Sequence, residues 1–530
     1  LLEASVGASD NSDSSSRLMC IIETKLASTL ASSECVEYGI CLVDSVLGHV
    51  TTGQFTDDSQ RTRLRTLVST HLPQEVVLEK CVDGVGHSQE TLGVIRLLAP
   101  RASQEILRAE DIRSGECTRK ALLQSDYFGE KGVATMPSAI QNLVETEAEE
   151  SGKELALRAM GGALLMLKRS LIDHEILSQG NFSTYVPMDM SVDVKSVPDK
   201  AEAPTESASG DKYMVLDAVT LANLELLVTS FEKSEKGSLW HFMNKTRTPF
   251  GRRLMKDWLC RPLCDVAAIR RRRGAVTELM GEFSGAVDAS KKVLRNVGDL
   301  ERLLARVHSN GSKKRATEHP DSRAIMYEMT TYNARKIKEF GEILKGFEVV
   351  LAAAALFQEQ TAQCTLLDAV INKFPSAELR KVLHHFRSQF DEKQAIRDGQ
   401  IKPKSGMNPE YDEAVNQVTE QTNALDDYLR EMKRQTGMND LKYWGNNKDR
   451  FQIEVPIHKS ANVPHDWSSK SQKKTHRRYW TPKIVKMLAL LTAAEEKKAA
   501  AQLDTMRAIF HTFDSHKNLW NRALACMATL

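Results

Sequence analysis

The chain has 530 residues, of which 41% are hydrophobic and 27% charged, a composition typical of globular proteins with several domains. Lys and Arg number 72 against 70 Asp and Glu, and this near balance excludes a uniformly basic, histone-like protein and an acidic disordered protein. The odd count of 9 cysteines favours a reducing compartment over a disulfide framework.

The two ends of the chain differ in character. Residues 1–16 are rich in Ser, Asp and Gly, which predicts a disordered start without a secretory signal. The run 523–530 is apolar and helix-like up to the last residue. Apolar runs such as 349–357 are far shorter than the roughly 20 residues of a membrane-spanning helix. We therefore expect the interior part of a longer protein, without a membrane segment.

Residues 17–186 predict one α/β domain. Apolar runs at Tyr38–Val43, His49–Phe55 and Val76–Leu78 are typical of strands. The stretch from Glu154 to Leu177 repeats apolar residues every three to four positions, which predicts a helix. Strands mixed with helices over this length indicate an α/β fold.

A polar segment with three prolines, 187–211, predicts a linker before a mostly helical region. Asn408-Pro409 is a helix start signal, and the helical spacing that follows continues as far as Gly437. The same signal returns at Thr481-Pro482 and starts a second long helix. Between them, 438–480 alternates like strands, with Asn446-Asn447 as a turn. This order predicts two antiparallel helices that carry a small β module.

The β module ends in the strongest chemical signal of the chain. Residues 470–486 hold seven Lys or Arg and no acid, and removing those seven charges from the net of +2 leaves −5 elsewhere. Lys and Arg side chains neutralise phosphates, so this stretch predicts binding to the DNA backbone without sequence preference. The candidate DNA-binding residues are Lys470, Lys473, Lys474, Arg477, Arg478 and Asn446. A solvated basic face or a nuclear import signal at 473–478 remain alternatives.

Two further basic runs are weaker signals. Arg270–Arg273 lies on an amphipathic helix pattern and is typical of a solvated helix face. Lys313–Arg315 lies in a Gly/Ser loop, where an import signal and an exposed loop are equally compatible with the residues.

Other chemistry-bearing residues favour structural roles. Asp44 ends a predicted strand, with acids near the neighbouring strands at Asp57, Asp58 and Glu79; such carboxylates can bind two metals for phosphodiester cleavage, but Asp is also common in turns. Cys260 and Cys264 lack a second ligand pair at zinc spacing, and the adjacent His384-His385 would point in different directions on a helix. No GxxxxGK[ST] phosphate loop or GxSxG elbow occurs, so we expect no enzyme activity through these motifs.

Several ordered segments resemble the MutS family of DNA mismatch-repair proteins. The segments 216–225, 248–254 with Trp258-Leu259 and Pro262-Leu263, and 299–306 resemble the core domain of that family. Tyr443-Trp444 and the segments 451–456 and 478–481 resemble its clamp and the return into the second lever helix. The segment 319–328 is most like the eukaryotic branch that reads the mismatch in the MutS-alpha heterodimer. Phe128-Gly129-Glu130 has the letters of the family's Phe-x-Glu wedge but lies in the wrong region, so we interpret it as chance.

The resemblance implies a role for each part of the chain. Residues 17–186 would be a ribonuclease-H-like connector that the family does not use as a nuclease, and 212–437 the core with the first lever helix. Residues 438–480 would be the DNA clamp, and 481–530 the second lever helix with its return to the core. The reading domain and the ATPase domain of the family are not found in this sequence.

For the whole protein, the resemblance implies a nuclear mismatch-repair subunit that binds mismatched duplex DNA together with a second MutS homologue. ATP and Mg²⁺ are expected for the full-length protein, and no cofactor or metal for this segment. Three alternatives stay open: a meiotic MutS relative that holds recombination junctions, a metal-dependent nuclease centred on Asp44, and a structural helical scaffold.

Overall fold

The computed structural model describes residues 16–26, 35–82, 86–128, 136–144, 152–190, 213–232, 234–312, 314, 329–402, 408–446 and 449–530. Several sequence features lie wholly or partly outside these ranges: the start 1–16, the linker 187–211, the Asn446-Asn447 turn, Gly129-Glu130, Lys313, Arg315 and the segment 319–328. The chain divides into two compact units. The first unit comprises Leu1–Ala324, Glu339–His384 and Phe513–Leu530, and the second comprises Ile325–Lys338 and His385–Thr512.

A six-stranded mixed sheet forms the N-terminal part of the first unit. Its strands are β1 (Arg17–Lys25), β2 (Val36–Asp44), β3 (His49–Asp57), β4 (Glu75–Glu79), β5 (Ser103–Leu107) and β6 (Asn181–Thr184), in the order β5-β4-β1-β2-β3-β6. The β1–β2 and β2–β3 pairs are antiparallel, and the β1–β4, β4–β5 and β3–β6 pairs are parallel. The three strands that the sequence predicts are confirmed as β2, β3 and β4.

Strand β1 was not predicted from the sequence, although it lies near the middle of the sheet. Its run Leu18–Ile22 is buried on both faces, as is typical of a strand covered by helices on each side. The continuous apolar run of five residues was the available signal, but the Ser-rich start before it obscured the boundary. The edge strands β5 and β6 carry weaker apolar signals and were missed as well.

Helices cover both faces of this sheet because successive strand residues point to opposite sides. Met19 and Ile21 pack with residues of α1 (Thr62–His71) and α2 (Gln89–Leu98). Cys20 and Ile22 pack on the other face, among residues of α3 (Gly115–Gln124), α4 (Ser138–Val144), α5 (Glu154–Arg169) and α6 (Asp173–Leu177). Two separate apolar clusters therefore sandwich the sheet.

The predicted helix from Glu154 to Leu177 is wrong in one respect, because it is two helices, α5 and α6. Leu171 adopts a left-handed φ of 59° between them. The Ile172 amide donates to the Leu167 carbonyl at 3.0 Å and the Leu171 amide to the Lys168 carbonyl at 3.1 Å, which is a Schellman ending. Periodicity did not reveal this ending because Leu171 occupies the position where glycine is usual.

Helices of 5–15 residues build much of the rest of the first unit. They are α7 (Ala218–Asn223), α8 (Leu239–Met243), α9 (Pro249–Cys260), α10 (Val266–Met280), α11 (Ser284–Val293), α12 (Leu300–Gly311), α14 (Thr365–Lys373) and α19 (Lys517–Thr529). The helices α13 (Met329–Gln358) and α15 (Ser376–Gln389) belong partly to each unit. In the core of the first unit, Trp520 stacks on Phe513 with ring centres 4.4 Å apart.

Two long helices in the second unit begin where the sequence predicts. In α17 (Pro409–Thr436), the Asn408 side chain accepts from the amides of Glu410 and Tyr411, and Gly437 ends the helix with a φ of 66°. In α18 (Pro482–Asp514), the Thr481 hydroxyl accepts from the Ile484 amide at 3.1 Å. The short helix α16 (Glu392–Asp398) also lies in this unit.

Contacts between α17 and α18 show that these helices run antiparallel within the second unit. The Asn408 amide donates to the Thr505 hydroxyl at 2.6 Å, at the start of one helix and near the end of the other. At the opposite end, the Tyr428 hydroxyl lies 3.0 Å from the Thr481 hydroxyl. The predicted antiparallel pair is confirmed.

Between these helices the chain forms a four-stranded antiparallel sheet. Its strands are β7 (Lys442–Trp444), β8 (Gln452–Pro456), β9 (Ser468–Gln472) and β10 (His476–Trp480), in the order β7-β8-β10-β9. Ile453 and Val455 are buried in an apolar cluster that also contains Tyr479 of β10 and Leu425 of α17. The predicted β module therefore packs on the helix that precedes it. Among the described helices, none has the length and apolar character needed to cross a membrane.

Candidate nucleic-acid interface

The basic stretch forms a hairpin of β9 and β10. The Lys473 amide donates to the His476 carbonyl at 2.8 Å, which closes a two-residue loop of Lys474 and Thr475. On the other side of that loop, the Thr475 carbonyl accepts from the Ile457 amide at 3.1 Å. The loop is thus fixed by backbone hydrogen bonds on both sides, and it presents Lys474 at its turn.

Four of the predicted DNA-binding cations have exposed side chains: Lys470, Lys473, Lys474 and Arg477. Across the described ranges, no carboxylate lies within 4.0 Å of any of these four charged groups. Exposed cations without a protein counter-charge are available to neutralise phosphates. Asn446 is also exposed, in the loop between β7 and β8.

The fifth predicted cation, Arg478, is placed differently and calls for a correction. It is 4% exposed, and its Nε and Nη2 atoms lie 3.1 and 3.0 Å from Glu454 Oε1 on the adjacent strand. Its guanidinium also stacks on Trp444, with the central carbon 3.3 Å from the ring centre. Arg478 is buried and contacts both the Glu454 carboxylate and the Trp444 indole. These contacts are typical of a side chain that stabilises the sheet.

Two tryptophans that were not among the predicted site residues lie next to the lysines. Lys473 Nζ lies 5.9 Å from the ring centre of Trp444, and Lys470 Nζ lies 5.0 Å from that of Trp480. Such cation–π contacts restrict long side chains without neutralising them. Their sequence signal was the interleaving of aromatic and basic residues in 443–480.

The positive charge does not lie on one flat face. Arg477 and Arg478 are neighbours on a strand and point to opposite sides of the sheet. Lys470 is the extra residue of a bulge, because Arg478 pairs with Ser471 whereas Tyr479 pairs with Ser469. The exposed cations therefore lie around the edge and the turn of the hairpin.

Other lysines of the same region have acidic partners. Lys459 Nζ lies 2.6 Å from Asp440, and this lysine holds the pKa of the carboxyl below its usual range. Lys483 Nζ lies 3.5 Å from Glu431. Lys470, Lys473, Lys474 and Arg477 differ from Lys459 and Lys483, because no carboxylate of the described residues lies within 4.0 Å of their charged groups.

The weaker basic runs have structural contacts. Arg272 stacks on Trp258, 3.9 Å from the ring centre, which favours a packing role within the Arg270–Arg273 run. Of the run 313–315 the structure describes Lys314, whose Nζ lies 3.2 Å from Asp126.

The acids proposed for a two-metal site do not meet. Asp44 pairs with Arg17 at the start of β1, whereas Asp57 lies opposite Val36, which pairs with the last residue of β1. At roughly 3.3 Å per residue, a nine-residue strand separates Asp44 from Asp57 by more than 20 Å. Asp44 instead accepts from the amides of Val46 and Leu47 in the turn after β2. The nuclease centred on Asp44 is therefore wrong, because its ligands lie at opposite ends of the sheet.

Asp58 and Glu79 likewise have structural partners. Asp58 accepts from the Thr62 amide at the start of α1, and Glu79 is 2.5 Å from Arg158. In the described residues no group of three or more His, Cys, Asp or Glu could hold a metal ion.

The cysteine and histidine pairs are likewise not brought into a common site. Burial raises the pKa of the Cys260 thiol to about 11, whereas Cys264 is exposed. His384 and His385 lie on the exposed surface of α15. Phe128 begins the Phe-x-Glu match that we interpret as chance. It packs against Phe182 of β6 with ring centres 5.8 Å apart.

Comparison with known proteins connects this geometry to a family. Residues 219–530 match the family described as MutS domain III. The chain is 36% identical over 515 residues to the human DNA mismatch repair protein Msh6, covering 93% of the chain and 37% of that protein. The chicken Msh6 protein is also 36% identical, with 93% of the chain and 38% of the relative covered.

A more distant relative, the probable DNA mismatch repair protein Msh6 of Drosophila melanogaster, is 31% identical, with 94% of the chain and 41% of the relative covered. The chain thus spans about two fifths of the length of these relatives.

Proposed function

Because the chain belongs to the MutS family of DNA mismatch repair proteins, we propose that it is part of a mismatch-repair subunit whose β module, residues 438–480, binds the backbone of duplex DNA. The observation that supports this most directly is the group of exposed hairpin cations Lys470, Lys473, Lys474 and Arg477, which have no acidic partner within the described residues. Phosphate contacts of this kind fix a protein on the duplex without reading its sequence.

Within this proposal, Arg478 supports the module and is not a phosphate ligand. Its stack on Trp444 and its ion pair with Glu454 join three strands, β7, β8 and β10. Asn446 remains a proposed phosphate hydrogen-bond donor, since a carboxamide can donate to a phosphate oxygen. The exposed cations would therefore contact phosphates from fixed positions on the hairpin. Arg478 would keep the hairpin rigid.

Finer assignments of the other parts extend the same proposal. The N-terminal sheet with helices on both faces belongs to the α/β class of the ribonuclease-H-like connector that the family resemblance implies. The antiparallel helices α17 and α18 would be the lever helices of the family. Long paired helices are suitable elements for transmitting a change of state between distant sites.

For the whole protein we propose a nuclear mismatch-repair subunit that acts on mismatched duplex DNA together with a second MutS homologue. ATP and Mg²⁺ would belong to the longer protein. The described residues of this chain do not fit ATP and Mg²⁺. The sequence has no GxxxxGK[ST] loop for the phosphates, and the described acids form no cluster that could hold a metal. Accordingly, no step of the proposed binding uses a nucleotide.

The proposal is tested by charge reversal in the full-length heterodimer. Replacing Lys473→Glu and Lys474→Glu together removes two cations from the hairpin turn. DNA affinity should fall, and the slope of log affinity against log salt should become shallower by roughly 1.8, about 0.9 for each phosphate contact. The measurement is fluorescence anisotropy with duplex DNA at four or more salt concentrations.

A matched control reverses another exposed adjacent lysine pair, Lys291→Glu and Lys292→Glu on α11. This variant makes the same change in net charge, but at a site outside the hairpin. It should therefore retain the salt slope of the parent protein. An unchanged slope in the hairpin variant, or equal losses in both variants, would contradict the proposed interface.

A further inference from the structure

A chain of hydrogen bonds in the first unit joins three segments that are far apart in sequence. His308 on α12 lies at its centre, with Nε2 2.8 Å from the Ser178 hydroxyl and Nδ1 2.7 Å from a carboxylate oxygen of Asp514. Ser178 directly follows α6 of the N-terminal α/β domain, and Asp514 is the last residue of α18. One imidazole ring therefore contacts both the α/β domain and the end of the long helix.

Each nitrogen of the His308 ring has a polar partner. The Ser178 hydroxyl lies 2.5 Å from the His174 carbonyl oxygen, which can only accept, and 2.8 Å from His308 Nε2. On the opposite side of the ring, Nδ1 lies 2.7 Å from a carboxylate oxygen of Asp514. The ring thus holds Ser178 and Asp514 on opposite sides.

A second polar connection runs beside the first. Lys517, three residues beyond Asp514, donates to the carbonyl of Gln179, which follows Ser178. On α12, the Ser309 hydroxyl donates to Glu175 of α6 at 2.6 Å. Any test of the histidine must therefore separate its effect from that of Lys517.

We propose that His308 is a positioning residue that relays displacements of the end of α18 to the α/β domain through Ser178. Hydrogen bonds of 2.7–2.8 Å weaken steeply when their geometry changes, so a shift of about 1 Å at Asp514 must move the ring or break a bond. Coupling between distant sites requires such contiguous contacts with discrete arrangements. None of the three residues belongs to the basic hairpin, so the relay stands independently of the DNA-binding proposal.

The relay predicts energetic coupling between two residues that are bridged by the ring. In the complete protein, Ser178→Ala and Asp514→Asn are made singly and together, first with His308 present and then with His308→Leu. Hydrogen exchange of the amides in 173–184 is followed by mass spectrometry. The coupling factor is the ratio between the change in exchange protection of the double variant and the product of the two single changes. With His308 present, this factor should differ from one by roughly two- to tenfold. With His308→Leu it should be close to one.

A second variant covers the case in which leucine prevents folding. His308→Gln keeps a polar side chain but lacks the ring that places a nitrogen on each of two opposite sides. It too should reduce the coupling factor to about one. Tyr127→Phe is the matched control, because it removes a hydrogen bond of 2.5 Å to Asp173 on the same helix α6. Its effect should add to that of Asp514→Asn.

Two results would overturn the relay. Additive effects of Ser178→Ala and Asp514→Asn in the presence of His308 would show that the ring transmits nothing. Coupling that persists with both His308→Leu and His308→Gln would assign the connection to Lys517 and its bond to Gln179.

Discussion

Arg478 shows how two neighbouring basic residues acquire different roles. Arg477 is exposed, whereas Arg478 is buried between Trp444 and Glu454. The alternation of a strand makes this division unavoidable, since adjacent side chains leave the sheet on opposite faces. The number of Lys and Arg residues in a basic run is therefore larger than the number of cations that are exposed and can bind phosphate.

The first prediction separates these roles by comparing Arg478→Met with Lys474→Met. Arg478→Met leaves Glu454 without its partner, and because Glu454 is partly exposed we expect a loss of about 1–3 kcal/mol in the stability of the module. Lys474→Met should leave stability within about 0.5 kcal/mol but reduce the salt slope of DNA binding by about 0.9. Urea unfolding and salt-dependent anisotropy measure the two quantities.

The opposite pattern, with stability lost at Lys474 and salt slope lost at Arg478, would show that the buried arginine is the phosphate ligand. Lys459→Met provides a further reference, because that lysine is paired with Asp440 and should change neither quantity strongly.

A second prediction concerns the thiols of Cys260 and Cys264. The thiolate is the reactive form, and a pKa of about 11 leaves only about one Cys260 in a thousand ionised at pH 8. Cys260 is also 3% exposed, while Cys264 is accessible. Iodoacetamide at pH 8 should therefore label Cys264 in the native protein and leave Cys260 unmodified, as read by peptide mass spectrometry. Both should react in urea; native labelling of Cys260 would disprove its burial.

At the scale of single elements, the start of α17 depends on one side chain. The Asn408 carboxamide oxygen accepts from two backbone amides, and its nitrogen donates to Thr505 of α18. This residue therefore caps one helix and joins it to the next. The sequence predicted only the cap.

The third prediction is that Asn408→Asp and Asn408→Ala differ. Aspartate retains the capping oxygen but cannot donate to Thr505, so it should cost less than alanine, which loses both contacts. We expect about 1–2 kcal/mol for Asn408→Ala, from the cap and one hydrogen bond. Urea unfolding of the two variants and the parent protein measures this order. Equal losses would mean that the cap contributes nothing measurable.

Gly445 controls the loop between β7 and β8. Its φ is 113°, and a Cβ atom there would lie 1.9 Å from the Asp449 carbonyl oxygen. The fourth prediction is that Gly445→Ala distorts this loop, with a cost of at least 1–3 kcal/mol from the backbone alone. Hydrogen exchange should increase in β7 and β8. Gly437→Ala is a useful comparison, because its φ is also positive but no atom obstructs a Cβ there.

At the scale of the whole molecule, the two compact units have separate apolar cores. Ile453 is fully buried in the module of the second unit, and Met19 in the sheet of the first. The fifth prediction is that Ile453→Ala, at a cost of about 2–5 kcal/mol, raises amide exchange in β7–β10 and leaves exchange in β1–β4 unchanged. Met19→Ala should give the reverse pattern. Parallel changes in both sheets for either variant would show one cooperative unit.

The sequence by itself determined the elements with strong local signals. Asn408-Pro409, Gly437 and Thr481-Pro482 specify helix ends through their own side chains or backbone preferences, and each lies where it was predicted. The concentration of positive charge in 470–486 is likewise a property of the sequence, as are the family motifs. These signals are local, so neighbouring residues suffice to read them.

Only the tertiary structure decided which of those residues can act together. Strand register placed Asp44 and Asp57 at opposite ends of the sheet, and pairing with Glu454 buried Arg478. The His308 relay joins residues separated by 130 and 206 positions, which no local pattern records. The physical reason is common to all three cases: burial and hydrogen bonding depend on distance in space, and the folded chain sets that distance through contacts remote in sequence.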